Sequence, residues 1–222
     1  MLIFAKKYKL IRIVQHNDWV VIILVSCIFL YIFMLLSLRR DSSVTEFLLQ
    51  KFGDSTNNFL SWIIISIVFV LVLSVFISQN IPVVPQKVAA FQFFGYELNK
   101  FGFTFFAVST FYFLKNILTY VYFAGTGAAK KWEVFYFTAS KFYFCFSIVI
   151  MVLTLIQYFY LFDRFMMFDV YLAVFAFAFI FKQIYYFFNP THILPSKWYY
   201  KFLYICTLQI VPVLVLWKLL FF

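Results

Sequence analysis

Six long stretches of apolar residues, broken by short polar punctuation, set the frame of this 222-residue chain. They run at about 19–38, 59–78, 101–123, 136–160, 170–188 and 199–220. A helix needs about 20 mostly apolar residues to cross a hydrocarbon layer roughly 30 Å thick, and each stretch is about that long. Lipid offers a bare backbone no partner, so a spanning segment is a helix or a strand of a closed barrel. Barrel strands alternate apolar and polar residues over about ten positions, and these stretches do not. The pattern predicts an all-α, polytopic transmembrane helical bundle, with residues 1–222 as a single integral membrane domain.

The punctuation predicts the connections. Residues 1–18, MLIFAKKYKLIRIVQHND, carry Lys6, Lys7, Lys9 and Arg12 among apolar residues and read as a basic interfacial segment. The run after it is too long for a signal-peptide core and ends in SLRRD without a small-residue cleavage pattern, so the first span is expected to stay uncleaved. Asp54 to Asn58 are turn formers. The stretch QNIPVVPQKVAAFQFFGYELNK, with two prolines and mixed charge, predicts a loop holding an interfacial helix. Gly125-Thr126-Gly127 lacks the spacing of a phosphate-binding loop and predicts a plain turn. No internal repeat relates the two halves, which weighs against an inverted-repeat transporter.

Composition agrees with the pattern. The chain is 66% hydrophobic and 12% charged, with 36 Phe and 16 Tyr, whereas soluble domains average roughly 45–50% apolar and about 25% charged. The net charge of +10 does not indicate nucleic-acid binding, because Lys and Arg are spread between apolar runs as membrane-flanking residues. Loop Lys and Arg barely choose an orientation. Lys6, Lys7, Lys9, Arg12, Lys87, Lys100, Arg164 and Lys218 fall on one side; Arg39, Arg40, Lys51, Lys130, Lys131, Lys197 and Lys201 fall on the other. The dense cluster before the first span favours both termini in the cytoplasm. Cys27, Cys145 and Cys206 sit in three separate apolar runs and make neither a CxxC motif nor a disulfide framework.

Candidate chemistry inside the spans is sparse. The acids Asp18, Asp41, Glu46, Asp54, Glu97, Glu133, Asp163 and Asp169 all fall in loops or at span ends. A charge at a span centre costs about 2.5–3.5 kcal/mol and is the usual pointer to function, so this distribution argues against a carrier driven through buried acids. His16 and His192 also lie outside the spans, which predicts no haem and no metal site. Hydrolase motifs are absent, and no cofactor and no catalytic residue is expected. The polar residues that remain are candidates for helix packing or partner contacts: Ser109, Tyr112, Lys115, Asn116, Thr119, Gln157, Gln209 and Pro212. Ser109, Tyr112, Asn116 and Thr119 share one helical face. Lys115, Lys141 and Lys182 lie within two or three turns of a span end and are expected to snorkel to the surface. Pro212 takes a donor from the carbonyl of Leu208, predicting a bent helix in which Gln209 or Thr207 helps to occupy that carbonyl.

The C-terminal segment NPTHILPSKWYYKFLYICTLQIVPVLVLWKLLFF, with NDW at the entrance to the first span, resembles an uncharacterised multi-pass inner-membrane family of the Bacteroidota. The resemblance implies a bacterial inner-membrane location and a six-span architecture, and no reaction. It places an acid where Gln209 stands here, so any role of that acid does not carry over. Envelope machinery peculiar to that phylum, such as type 9 secretion and gliding, is the implied setting. The leading expectation is a non-catalytic subunit that packs with other membrane proteins and scaffolds or stabilises a hetero-complex in the bilayer. One alternative is a transporter or channel for a small or lipid-like solute, using the Ser109/Tyr112/Asn116/Thr119 face with Lys115 as an anion contact. Another is an enzyme or accessory protein of polyprenyl-linked metabolism, with Glu97, Asp163 or Asp169 at the interface.

Overall fold

The computed structural model describes residues 18–38, 43–54, 57–80, 92–93, 96–97, 99–160, 164–188, 193–195 and 197–221. The basic segment before residue 18, both histidines, Asp41, Asp163 and most of the stretch between the second and third spans lie outside the described residues. Six helices are long and apolar enough to cross a membrane: Trp19–Leu38, Asn58–Asn80, Lys100–Gly125, Lys131–Phe159, Met167–Phe188 and Trp198–Leu220. They are numbered here as the first to sixth spans.

Two starts differ from the expectation. The fourth span begins at Lys131 rather than about 136, and the fifth-span helix begins at Arg164 rather than about 170. An apolar window marks where lipid can sit, whereas a helix continues through polar turns while its backbone bonds hold. In the fourth span those extra turns also carry Trp132 and Phe135, whose rings lie 6.1 and 5.2 Å from Phe123 of the third span. The turn between these spans closes as the spacing predicted. Gly127 adopts φ +71, and the amides of Gly127 and Ala128 donate back to the carbonyls of Ala124 and Phe123. That left-handed cap is a conformation glycine adopts without penalty.

Two connections carry structure that the sequence reading left out. Between the first and second spans, Val44–Leu49 forms a short helix with a reciprocal cap at Ser43 and Glu46. Its Phe47 is buried edge-on against Phe144, and Lys141 Nζ donates to the carbonyls of Leu48, at 2.8 Å, and Gln50. Before the third span, Gln92–Phe93 pairs antiparallel with Tyr96–Glu97, while most of the stretch in which an interfacial helix was expected lies outside the described residues. The fold remains a helical bundle.

The second span is the hub, packing most extensively on the fourth and then on the third and first. Its Ile65, Val68, Val72 and Val75 are fully buried at spacings of three, four and three, the repeat of one helical face. The fourth span, its main neighbour, buries Ser140, Ser147 and Thr154, seven residues apart on one face. In lipid, helices gain little from hydrophobic exclusion, so close packing over small residues and cross-helix hydrogen bonds must hold them. Each of these hydroxyls donates to its own helix, at 2.7 Å in all three cases, which removes the penalty of burying it. Ser147 Oγ also pairs with the Tyr31 hydroxyl of the first span. Thr104 Oγ1 reaches the Ser74 carbonyl at 3.2 Å, tying the third span to the second.

The sixth span is not one α-helix. Trp198–Leu203 is α-helical, Tyr204–Ile210 is π-helical and Val211–Phe221 returns to α. The amide of Val211 donates to Cys206, five residues back, so the register widens just ahead of Pro212.

Candidate functional site

Phe69, Phe76, Phe146, Phe175 and their neighbours on five of the spans line a half-open cavity of about 390 Å³ between the second, third, fourth, fifth and sixth spans. One part of the wall carries Tyr112, Lys115, Tyr143 and Lys182; the other is almost wholly aromatic and aliphatic, through Phe168, Leu216, Trp217 and Leu220. Helix periodicity sets this arrangement. Tyr171, Phe175, Lys182 and Tyr186 repeat on one face of the fifth span. Tyr171, Lys182 and Tyr186 are buried there, although only 11% of that span's most apolar window is buried.

The two lysines converge on one oxygen. Lys182 Nζ donates to the Tyr143 hydroxyl at 2.9 Å and Lys115 Nζ donates to the same hydroxyl at 3.4 Å. Lys182 is 4% exposed. Its ammonium stands 4.3, 5.3 and 5.5 Å from the ring centres of Tyr143, Phe142 and Tyr186, a partial aromatic cage that favours a cation. No carboxylate among the described residues pairs with either lysine; Glu46, Glu133 and Asp169 are exposed. Two ammonium groups sharing one acceptor lie close enough to repel each other. Lys115 lies ten residues from Gly125, or about 15 Å along the helix at the usual rise, so this charge sits deep in its span.

The expectation that Lys115, Lys141 and Lys182 snorkel is corrected by this geometry. Lys115 and Lys182 turn inward to Tyr143, and Lys141 turns to the carbonyls that end the helix Val44–Leu49. Distance from a span end limits how far a lysine can reach; the face it occupies decides where it goes.

The polar stripe of the third span faces the second. The Tyr112 hydroxyl pairs with Ser66 Oγ at 2.8 Å, while Ser109, Tyr112 and Asn116 line a groove of about 500 Å³ with Trp62 and Ser66. Thr119 is buried and donates to its own helix, at Lys115 O. Gln157 makes a reciprocal amide pair with Asn80 at 3.2 and 3.1 Å, joining the fourth span to the second. Gln209 is buried, and its amide donates to the Tyr204 hydroxyl on the same span. The predicted handling of Pro212 is corrected here. Thr207 donates to Leu203 and Gln209 to Tyr204, so neither serves the Leu208 carbonyl, and the wide π turn accommodates the missing donor instead. Pro212 itself is half-buried.

Tyr143 was not a candidate from sequence, and Lys182 was read as a surface group. A signal existed in Lys182 and Tyr186, one turn apart beside Gln183, a polar cluster that no interfacial position requires. Gln183 and Tyr186 retain buried polar atoms without a partner among the described residues, as does Gln209 Oε1. Tyr143 sits in the uniformly aromatic run KFYFCF, where one hydroxyl gives no periodic cue.

The chain belongs to the family described as Domain of unknown function (DUF4271), whose profile matches residues 19–220. No curated protein and no solved structure matches it. Family membership and the six apolar helices together make this a multi-pass membrane protein.

Proposed function

We propose that this protein is a non-catalytic membrane protein that binds an anionic solute inside its helical bundle, as a carrier or receptor does. The observation that carries the proposal is the convergence of Lys115 and Lys182 on the Tyr143 hydroxyl at the wall of an aromatic cavity. Six ammonium N–H donors there meet one phenolic oxygen, and an anion supplies the missing acceptors and the missing charge. This promotes the solute-binding alternative of the sequence reading over the purely structural one. It keeps Lys115 as the anion contact and moves the site from the Ser109/Asn116 groove to the far side of Tyr112. Native mass spectrometry of protein released directly from membranes tests it. A discrete anionic adduct is expected on the wild type and on the distant surface variant Lys51→Gln, and its loss is expected in Lys115→Gln/Lys182→Gln. An adduct retained by folded double variant counts against the site.

A second reading, membership of a larger envelope complex of the kind the Bacteroidota resemblance implies, draws support from the outer faces of the fifth and sixth spans. Only 11% and 17% of their most apolar windows are buried, and the fifth presents Phe177 and Phe188 outward. Crosslinking from p-benzoylphenylalanine at position 177 tests it: discrete protein adducts support a seated partner, and lipid adducts alone count against one.

A further inference from the structure

We infer that the cavity takes a single-chain amphiphile with one anionic head group, a carboxylate or a phosphate monoester, its head held between Lys115 and Lys182 and its tail along the aromatic wall. The inference rests on the proposed anion site and adds what the rest of the cavity demands.

Three observations carry it. First, the polarity of the cavity is one-sided. The surplus donors are the lysine ammonium groups, whereas Asn80, the other strongly polar lining residue, is already paired with Gln157 and with the Phe76 carbonyl. A small hydrated anion would leave the greater part of the cavity unfilled, while an apolar tail matches the Phe76, Phe175, Leu216 and Trp217 surfaces. Secondly, the cavity is long. Lining residues on the fifth span run from Phe168 to Lys182, fourteen residues or about 21 Å of helix, which suits an extended alkyl or isoprenoid chain. Thirdly, it is narrow. A volume of about 390 Å³ lies near the lower end of the range for small-molecule sites and matches one chain better than two. Tyr143 completes the head site. Its hydroxyl accepts from both lysines now, and rotation of that O–H toward an incoming oxygen turns the phenol into a donor.

Trp217 lies in the tail region and reports occupancy, because bromine quenches indole fluorescence on contact. The full-length protein in nanodiscs is titrated with ω-bromohexadecanoate, ω-bromohexadecyl phosphate and ω-bromohexadecanol, with Trp217→Phe supplying the background from the other tryptophans. Acetate and inorganic phosphate are the tail-less competitors. Saturable quenching by both charged probes is expected, at least about tenfold tighter than by the alcohol. The stronger of the two charged probes identifies the head group. The comparison of acid with alcohol needs no variant, so it holds even if Lys115→Gln/Lys182→Gln fails to fold. If acetate or phosphate displaces the probes at matched concentration, the amphiphile inference is overturned while the anion site stands. If the alcohol binds as tightly as the acids, the lysine head site is wrong, and the proposed function falls with it. No saturable quenching by any probe, with no small-anion effect on Trp217, overturns both.

Discussion

The seam between the second and fourth spans and the sector around the fifth and sixth spans use the same apolar vocabulary and do opposite things with it. In the seam, the second span buries β-branched residues and the fourth buries small hydroxyl residues. Every hydroxyl is satisfied within the protein, and 56% of the second span's most apolar window is buried. Around the fifth span 11% is buried, a cavity remains open, and polar atoms of Gln183, Tyr186 and Gln209 have no partner among the described residues. A membrane gives no hydrophobic reward for either arrangement, so tight packing marks where the bundle is held together. On the proposed function, loose packing around buried charge marks where a ligand is accommodated.

Added volume separates the two regions most strongly. Ser147→Leu forces a bulky side chain into a fully buried seam position and removes the contact to Tyr31. A loss of about 2–3 kcal/mol is expected in reversible unfolding in mixed micelles. Ala176→Phe, which adds more volume on the cavity wall, is expected to change stability by no more than about 0.5 kcal/mol while weakening ligand binding. Equal losses from the two substitutions would erase the contrast.

Buried charge comes next. Lys182→Met removes an ammonium group held beside Lys115 with no carboxylate partner among the described residues, so the unliganded protein is expected to gain about 1–2 kcal/mol and to bind the anion less well. Gain in stability with loss of binding is the signature of a site; a loss of stability would mark Lys182 as structural.

The sixth span supplies a smaller effect. Tyr204→Phe strips the partner from the Gln209 amide and leaves that buried amide wholly unsatisfied, at a cost of about 1 kcal/mol. Tyr204→Phe/Gln209→Leu, which removes both polar partners, is expected to recover most of that loss, and a double-mutant cycle measures it.

The smallest effect lies outside the membrane. The Ser43 amide donates to the Glu46 carboxylate at 2.8 Å and holds its pKa below the ordinary value. A lowered folded pKa stabilises the cap above the unfolded pKa, and that contribution disappears as pH falls through the folded value. Amide exchange across Val44–Leu49 is therefore expected to accelerate on acidification in the wild type and to be nearly pH-independent, beyond intrinsic exchange chemistry, in Glu46→Gln.

How much of this was legible in the sequence follows the same division. Six spans, a turn at Gly127 and the apolar character of every helix could be read because length and charge-free runs are local properties. The seam had a readable trace in the sevenfold spacing of Ser140, Ser147 and Thr154, small residues standing out against Phe, Ile and Leu. The candidate site had almost none. With Phe and Tyr on every face, no periodic contrast tells whether Lys182 turns to lipid, to a surface or to Tyr143, and only the packing of five helices decides it. Pro212 showed the same limit: its missing donor was visible, whereas the π register that accommodates it depends on how the whole span seats.

The most direct test of the account is an experimental structure of the protein extracted with its own lipid, read at Lys115, Tyr143 and Lys182. The account predicts density for an anionic head bridging the two ammonium groups, with a single tail leading past Phe175 toward Trp217. A carboxylate of the protein itself seated between the lysines, with nothing bound along the aromatic wall, would contradict it.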